Sequence, residues 1–398
     1  MRTKFTINEI LFELYLISAI MGGILRNMLG VWEPIYDTYT FVSKGRWGTL
    51  MLTMSTIILL LLLFRCSIKF VKKVPIGIRI LVWSLIFYYL LWTGISLNSN
   101  SIQSVFFETI STSIILLPIA SIVGFDNKIW DLLVKQIPII NVLLGGAFFI
   151  SVFSFWGQYG LKWPMNASYK GIFAYWITSV WIMTFVYFND KKKRKVIYCN
   201  LVFIIIAAFI TQSRAWVLQT LILFFVFFAA LSNKNKYIKF FMGCLFIVIA
   251  IVGISYIFPN ITGSLFERGF EDTRSGQYVV FFKQHSWEDL ILGLGLNATY
   301  TYLGNDFYPY FDNQFMFIMF HYGILPVVSW IVVYCYVFKG KKIINLKDEV
   351  IIRAAKYIGG FAVLAYMGLS TYYQIELSYS SVLIMLLLGN AIQRKTRS

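Results

Sequence analysis

Long apolar runs recur along most of this chain. Several approach or exceed eighteen residues, among them Leu50–Phe64, Phe240–Phe258 and Phe315–Phe338. Runs of this length can cross a lipid bilayer as helices. Only 13% of the residues are charged, about half the share that is usual in soluble domains. The pattern predicts an all-α polytopic membrane protein.

The apolar runs predict about twelve membrane-spanning helices in a single integral membrane domain that covers residues 1–398. The first run follows a basic start and is interrupted by Glu9 and Glu13, so we expect an uncleaved first helix and not a signal peptide. The predicted spans are residues 9–27, 49–66, 76–96, 103–123, 132–156, 172–189, 195–211, 215–232, 238–258, 313–338, 350–370 and 378–392.

The basic residues divide unevenly between alternate connections. Of the 35 Lys and Arg residues, 26 lie in one set of connections, which includes the KKKRK run at residues 191–195. Because Lys and Arg collect on the cytoplasmic side of membrane proteins, this division places both termini in the cytoplasm. The same rule accounts for the net charge of +17. We therefore expect a lipid bilayer as the partner, and no nucleic acid.

One connection is much longer than the others. It covers residues 259–312, between the ninth and tenth predicted spans, and the charge pattern places it on the extracytoplasmic side. It is too rich in Phe, Tyr and Leu to be disordered, and a long ordered loop is usually functional. We therefore expect the chemistry of the protein in this large external loop, which should contain short helices.

The loop holds three of the nine basic residues assigned to the outer side, namely Arg268, Arg274 and Lys283. Neighbouring carboxylates allow local ion pairs as one interpretation of the two arginines. The other interpretation is binding of an anionic substrate, because guanidinium groups bind phosphate in bidentate fashion.

A short amphipathic helix is predicted within the loop. Ser275 is suited to cap this helix, which would continue to about His285. Tyr278, Phe281, Phe282 and His285 then share one face. Such a helix would lie on the outer surface of the membrane.

Two further positions carry candidate chemistry. Arg214 lies in a turn of a few residues between two apolar spans, either as an interface-anchored side chain or as a cation for a lipid phosphate. Asp312 and Asn313 precede the tenth span. The aspartate is either the N-cap of that helix or a carboxylate that accepts a proton from a sugar hydroxyl.

Other residues of this region have simpler interpretations. The glycines of Gly293–Asn297 permit a tight turn or a close backbone approach, and His321 is expected to pack inside the helix bundle. The loop aromatics suit either stacking against sugars or ordinary loop packing. They are Trp287, Tyr300, Tyr302, Phe307, Tyr308, Tyr310 and Phe311.

The two histidines and the scattered carboxylates lack the spacing of a metal site. A nucleotide-binding lysine motif and a nucleophile elbow are also absent from the sequence. We expect metal-independent chemistry without a cofactor, on a substrate that arrives already activated.

These elements, in this order, resemble the O-antigen polymerase (Wzy) family within the wider O-antigen polymerase/ligase superfamily. The pattern is a Ser-Arg turn at Arg214, an external arginine followed four residues on by an aromatic (Arg274 and Tyr278), and a Gly-x-Gly segment. It ends in the pair Asp312–Asn313 before an apolar helix with a later Tyr-Gly-Ile. The resemblance covers about residues 211–330, and the first two hundred residues match only in hydropathy.

The resemblance implies a polysaccharide repeat-unit polymerase in the bacterial plasma (inner) membrane. Such an enzyme transfers a growing glycan from undecaprenyl pyrophosphate onto the non-reducing end of another lipid-linked oligosaccharide unit. It implies that Arg214 and Arg274 engage the pyrophosphate. Asp312, either a base or a helix cap, is the third candidate catalytic residue. A flippase and a chain-length regulator are candidate partners. The candidate substrate-binding residues are Arg268, Tyr278, Lys283, His285 and Asn313.

Two alternatives stay open. The first is an O-antigen-type ligase, although related ligases carry His-Asn where this chain has Asp312–Asn313, which favours a polymerase. The second is a flippase or transporter for the same lipid-linked sugars. A transporter should carry charges along a path inside the bundle, whereas the mid-span ionisable residues are few: Glu13, Glu108 and His321.

Overall fold

The computed structural model describes most of the chain. The described residues are 6–28, 31–35, 38–42, 46–102, 114–160, 169–187, 190, 192–211, 213–230, 256, 273–302, 304–308, 311, 313–339, 346–364 and 378–397. These residues form fourteen helices and two short antiparallel hairpins.

The helices before the large loop are α1 (Ile7–Met28), α2 (Arg46–Lys73), α3 (Ile76–Ser99), α4 (Leu116–Gly124), α5 (Asn127–Tyr159), α6 (Tyr169–Val186), α7 (Arg194–Ile210) and α8 (Arg214–Ala230). The later helices are α9 (Thr273–Gln284), α10 (Trp287–Leu292), α11 (Gln314–Tyr322), α12 (Ile324–Phe338), α13 (Leu346–Leu364) and α14 (Ser378–Arg397). One hairpin pairs β1 (Val31–Ile35) with β2 (Thr38–Val42), and the other pairs β3 (Tyr300–Tyr302) with β4 (Asn305–Tyr308).

Four of the described helices are long and apolar enough to cross a membrane, which confirms the prediction of a helical membrane protein in its coarse form. Helices α1, α3 and α5 to α8 coincide with predicted spans to within a few residues, and α2 extends several residues further. The ninth predicted span lies outside the described residues apart from Tyr256, so the total of twelve stays a prediction. The four segments are Ile7–Met28, Trp47–Lys73, Ile76–Asn98 and Asn127–Tyr159.

Contacts divide the chain into two compact units. The first unit consists of Met1–Phe12, Ile58–Trp130 and Glu271–Ser398. The second unit consists of Glu13–Ile57 and Asp131–Phe270. The large loop from Glu271 onward therefore belongs to the first unit, and Arg214 belongs to the second.

In the first unit, α4 and α14 cross in backbone contact. A Cβ atom on Gly389 would overlap with the carbonyl oxygen of Ser121, and one on Gly124 would overlap with the backbone of α14. Small residues permit this close approach of helices in membrane proteins. Asn390 fixes the crossing, because its side chain donates to the Gly124 carbonyl oxygen at 3.1 Å and to Asn127 Oδ1 at 3.0 Å.

A polar network lies at the same end of the first unit. Lys69 of α2 pairs with the buried carboxylate of Asp126 at 2.6 Å. Asn8 of α1 donates to that carboxylate at 3.4 Å and accepts from Arg65 Nε at 2.5 Å. These contacts join α1 and α2 to the start of α5.

The end of α14 is tied to two neighbouring helices. The buried guanidinium of Arg394 donates to Asn390 Oδ1 at 2.7 Å and pairs with Asp348 of α13. Lys395 donates to the carbonyl oxygen of Lys339 at 2.6 Å, at the end of α12. A buried charge is tolerated when it is paired and hydrogen-bonded. Arg394 is both paired and hydrogen-bonded, and Lys395 is hydrogen-bonded to carbonyl oxygens.

Aromatic residues form much of the core of the second unit. Phe148 of α5 lies 5.8 Å from the ring of Trp176 on α6, and Phe173 lies 4.7 Å from Trp216 on α8, measured between centroids. Helices α7 and α8 form a hairpin, because α7 ends at Ile210 and α8 begins at Arg214. This confirms the tight turn that the sequence predicts there.

The tenth predicted span is broken. The expectation of one continuous helix over residues 313–338 is wrong, because α11 ends at Tyr322 and α12 begins at Ile324. Gly323 between them has a φ of +81°, a conformation that other residues rarely adopt. Pro326 in the first turn of α12 has no N–H to donate, and this position tolerates proline.

Candidate functional site

Helix α9 begins earlier than the sequence predicts. It starts at Thr273, so the expectation that Ser275 caps the helix is wrong. Ser275 lies inside the first turn and cannot take the extended conformation of an N-cap residue. The helix ends at Gln284, close to the predicted end at His285.

The apolar face of α9 packs against protein. Phe281 is completely buried, and Tyr278 and Phe282 are partly buried beside it. The predicted face is therefore correct, but the expectation that it rests on the outer membrane surface is wrong for its centre. Aromatic side chains from later in the loop and from α11 cover this part of the helix, where lipid was expected.

Those side chains form one compact group, which we call the aromatic cluster. Phe281 is central in it, with ring centroids of Tyr300, Phe311 and Phe320 at 5.5, 4.9 and 5.4 Å. Edge-to-face pairs at these distances are favourable. The buried members are Phe281, Leu290, Tyr300, Tyr302, Phe311, Met316, Phe317 and Phe320.

The cluster decides between the two interpretations of the loop aromatics. Tyr300, Tyr302 and Phe311 are buried, so ordinary packing accounts for them and stacking against a sugar does not. Trp287 and Phe307 are strongly exposed and stay candidates for sugar contact. Tyr310 lies outside the described residues.

The β3–β4 hairpin is attached to α9 by one side chain. Gln284 Nε2 donates to the carbonyl oxygen of Thr301 at 2.9 Å, and Thr301 N–H donates back to Gln284 Oε1 at 2.9 Å. The hairpin then turns at Gly304, which has a φ of +76°. The side-chain amide thus extends the edge of the hairpin as a further strand residue would.

Replacing Gln284 by alanine should loosen the hairpin without unfolding the bundle. Two hydrogen bonds are lost, at about 0.5–1.5 kcal/mol each, so amide exchange across residues 300–308 should accelerate several-fold. Gln284→Glu keeps an acceptor for the Thr301 N–H and loses the donor, so its exchange rates should fall between those of the wild type and Gln284→Ala. Unchanged exchange in Gln284→Ala would contradict this attachment.

The Gly-x-Gly segment packs against the helix break at Gly323. A Cβ atom on Gly293 would lie 2.5 Å from the backbone nitrogen of Gly323, and one on Gly323 would lie 2.5 Å from the carbonyl oxygen of Ile291. Gly293 and Gly295 have φ values of +82° and +97°. The sequence left open a tight turn or a close backbone approach, and the structure has both.

Hydrogen bonds complete this junction. Leu294 N–H donates to the Phe320 carbonyl oxygen at 2.8 Å, and Gly295 N–H donates to that of His321 at 3.1 Å. These N–H groups thus supply the donors that the carbonyl oxygens in the last turn of α11 lack within the helix. On α3, the hydroxyl of Tyr88 donates to the carbonyl oxygen of Tyr322.

His321 is held in the same junction. Its Nδ1 lies 2.9 Å from the carbonyl oxygen of Gly295, and a carbonyl can only accept, so this nitrogen carries the proton. The ring is buried and packs against Phe317 and Phe320. The prediction of a bundle-packing histidine is confirmed.

Asn313 has a structural role at the start of α11. Its side-chain oxygen accepts from the N–H groups of Phe315 and Met316 at 2.9 and 3.3 Å. Asn313 is therefore the N-cap, and the alternative that Asp312 caps this helix is wrong. Asp312 itself lies outside the described residues, next to the cap.

His285 is tied to the start of α10. Its Nδ1 lies 3.3 Å from Asp289 Oδ2, and its ring stacks on Phe281 at 4.9 Å. The same carboxylate oxygen accepts from Ser286 N–H at 2.9 Å, which completes a capping box. This box follows the Ser-x-x-Asp pattern of residues 286–289, a sequence signal that was available and was missed.

The structure separates some of the predicted site residues. Arg274 lies in the first turn of α9 and His285 follows its last residue. Eleven residues at 1.5 Å each place them about 16 Å apart along the helix axis. Lys283, in the last turn, is exposed. These residues therefore lie along α9 and do not form one cluster.

Of the remaining candidates, only Arg214 lies within the described residues, and only its backbone is described. Arg214 is the first residue of α8 in the second unit. Arg268 lies outside the described residues, as Asp312 does. Among the described residues, no group of three His, Cys, Asp or Glu side chains could hold a metal ion. Neither family models nor curated proteins give a match to this chain.

Proposed function

We propose that this membrane protein polymerises lipid-linked oligosaccharide repeat units. The proposal starts from the order of sequence elements over residues 211–330 that resembles the O-antigen polymerases. The observation that carries it further is the packing of these elements in the first unit. The arginine-bearing helix α9, the Gly-x-Gly segment and the start of α11 form one folded assembly around the aromatic cluster.

This packing supports a common site for Arg274 and Asp312. Phe281 and Phe311 are in ring contact at 4.9 Å. Arg274 is seven residues before Phe281, about 10 Å along α9, and Asp312 directly follows Phe311. In this proposal the arginine and the carboxylate act at the two ends of one reaction, on the leaving group and on the attacking hydroxyl.

The chemistry then proceeds as a displacement. A sugar hydroxyl of the acceptor attacks the anomeric carbon of the donor, and the bond from that carbon to the pyrophosphate oxygen breaks. The lipid pyrophosphate leaves with the electron pair, and the hydroxyl proton passes to Asp312. Arg274 stabilises the negative charge that grows on the leaving group, the role that the resemblance also implies for Arg214. This reaction uses the activation already present in the donor.

The setting follows from the charge pattern. We propose that the protein resides in the bacterial plasma membrane with both termini in the cytoplasm, so that the loop meets its substrates at the outer face. Its substrate partner is an undecaprenyl-pyrophosphate-linked oligosaccharide. A flippase would supply this substrate, and a chain-length regulator is a candidate protein partner.

Exchanging Asp312 for asparagine tests the proposal. Asp312→Asn keeps the size of the side chain and removes its capacity to accept a proton, so polymer formation should fall by about 100-fold or more. The measurement is chain length on gels of lipid-linked glycan, together with the amount of folded protein. Wild-type chain lengths in Asp312→Asn would remove the carboxylate from the mechanism.

The neighbouring cap residue supplies a matched control. Asn313→Ala should lower stability by about 1 kcal/mol through loss of the cap, and Asn313→Asp should restore it. If Asn313 acts only as a cap, both variants polymerise at rates that follow their amounts of folded protein. This separates local unfolding from loss of the base.

A transporter for lipid-linked sugars is the second candidate, and the broken helix at Gly323 favours it, because discontinuous helices often form transport sites. The positions of the buried charged residues favour the polymerase instead. The buried charged residues described lie near helix ends: Asp126, Lys170, Arg394 and Lys395. Inactivating the protein distinguishes the polymerase from the transporter. Loss of a polymerase leaves single repeat units at the outer face of the membrane, and loss of a flippase leaves them at the inner face.

A further inference from the structure

The external loop descends into the membrane-spanning part of the first unit. Depth in the bilayer can be measured along helix α3, because its segment Ile76–Asn98 is long and apolar enough to span a bilayer. Tyr88, in the middle of α3, donates to the Tyr322 carbonyl oxygen, and the ring of Tyr89 lies 5.0 Å from that of Tyr322. The break at Gly323 is therefore level with the middle of a spanning helix.

The loop reaches the same depth. Gly293 contacts Gly323, and Gly295 packs against Trp92 of α3, whose ring atom would lie 3.5 Å from a Cβ at that glycine. Trp92 is seven residues before the end of α3 at Ser99, which corresponds to about 10 Å. Gly295 thus lies about 10 Å below the outer end of that helix, and Gly293 lies level with the break at Gly323.

At this depth α10 carries an exposed apolar surface. Trp287 is 63% exposed, Ile291 52% and Leu292 71%. The surface continues through Leu294 to residues of α12 that are also strongly exposed: Ile324, Leu325 and Val328. Exposed apolar groups in a segment at the level of spanning helices are stable where hydrocarbon covers them.

We propose that residues 287–294 form a re-entrant segment whose apolar surface is covered by the hydrocarbon chains of bilayer lipids. The backbone of this segment is compatible with that position. Its N–H groups at Gly293, Leu294 and Gly295 are bonded to the carbonyls of Asp289, Phe320 and His321. Non-helical backbone at membrane depth requires such internal partners.

The surface also fits the charge of its surroundings. Glu288 and Asp289 lie in the first turn of α10, at the end nearest the polar part of the loop, and Ile291 and Leu292 lie at the other end. After Trp287, the residues of the segment thus change from charged to apolar toward the helix break. This grading is expected of a segment that enters the bilayer from its surface.

Spin labels on the full-length protein test the inference. Single cysteines at 291 and 292, in a background without Cys66, Cys199, Cys244 and Cys335, are labelled with a nitroxide in vesicles of phosphatidylethanolamine and phosphatidylglycerol. Relaxation by oxygen, which partitions into hydrocarbon, is compared with relaxation by a water-soluble nickel chelate. Labels at Leu91 of α3 and at Asp306 of β4 supply the lipid and water references.

We expect the ratio of oxygen to nickel relaxation at 291 and 292 to match that at 91 and to exceed that at 306 several-fold. A ratio like that at 306 would overturn the inference, as would shielding from both reagents, which indicates cover by protein. If the cysteine-free protein does not fold, a benzophenone side chain at 292 in the native chain replaces the label. Photolysis should then attach phospholipid, and attachment only to a second protein chain would overturn the inference.

The experiment needs no sugar substrate and reads no activity. Its outcome is therefore independent of the proposed polymerase function. The re-entrant segment can be disproved while the polymerase function holds, and the reverse is also possible.

Discussion

Arg274→Ala should abolish long glycan chains and leave single lipid-linked repeat units. Removing one fixed donor that stabilises transition-state charge typically lowers a rate by about 100- to 1000-fold. The proposed leaving group carries two phosphates, and we propose that the Arg274 guanidinium binds them. Removing this guanidinium should therefore lower the rate by such a factor. The measurement is chain length and extension rate with purified lipid-linked units, in protein that is shown to be folded. Arg214→Ala should behave in the same way.

Two comparisons make this prediction specific. Arg274→Lys keeps the positive charge and loses bidentate binding of phosphate, so it should retain part of the activity. Arg26→Ala is the matched control, because this arginine is exposed at the end of α1 and assigned to the same side of the membrane. Equal losses in Arg26→Ala and Arg274→Ala would indicate a general effect of surface charge and contradict the pyrophosphate role.

The largest effect on stability is expected at the junction of the loop with the broken helix. Gly293→Ala places a Cβ atom 2.5 Å from backbone at Gly323 and forces alanine to a φ of +82°. The backbone conformation costs about 1–3 kcal/mol, and overpacking adds about 1–3 kcal/mol. The variant should therefore lose several kcal/mol of stability, measured by thermal unfolding in detergent. Gly323→Ala should lose a similar amount.

Glycines elsewhere in the same loop separate the two contributions. Gly304→Ala also forces alanine to a positive φ, of +76°, but no atom lies within 4 Å of the new Cβ. It should lose only the conformational part, about 1–3 kcal/mol. Gly276 lies inside α9 with open space around it, so Gly276→Ala should stabilise by up to about 1 kcal/mol. If Gly293→Ala is no worse than Gly304→Ala, the close approach at Gly323 is wrong.

Much of the helical framework could be predicted because bilayer thickness imposes a length on each apolar run. α1 and α3 begin and end within a few residues of the predicted limits. The hairpin of α7 and α8 was also predictable, since Thr211–Arg214 is a short polar interruption between two apolar runs. The face of α9 followed from helical spacing, although spacing alone could not show that protein and not lipid covers Phe281.

The missed features depend on contacts between distant segments. Hydropathy predicts one span over residues 313–338, because Gly323 is a single residue in an apolar run. The break there becomes apparent only from the contact of Gly323 with Gly293 in the folded protein. Asp312 and Asn313 are both good cap residues, and the local sequence does not decide between them. The β3–β4 hairpin is too short to show a strand period, and the Gln284 contact that attaches it lies seventeen residues away.

The crossing of α4 with α14 has a consequence for biosynthesis. Gly124 and Asn127 leave the ribosome more than 250 residues before their partner Asn390. During that interval α4, whose residues are all buried in the finished fold, must persist without the helix that covers it. The first unit can therefore be completed only late in translation, after all residues of the second unit have been synthesised. Substitutions in α14 should consequently act on yield and proteolytic turnover before they act on any catalytic step.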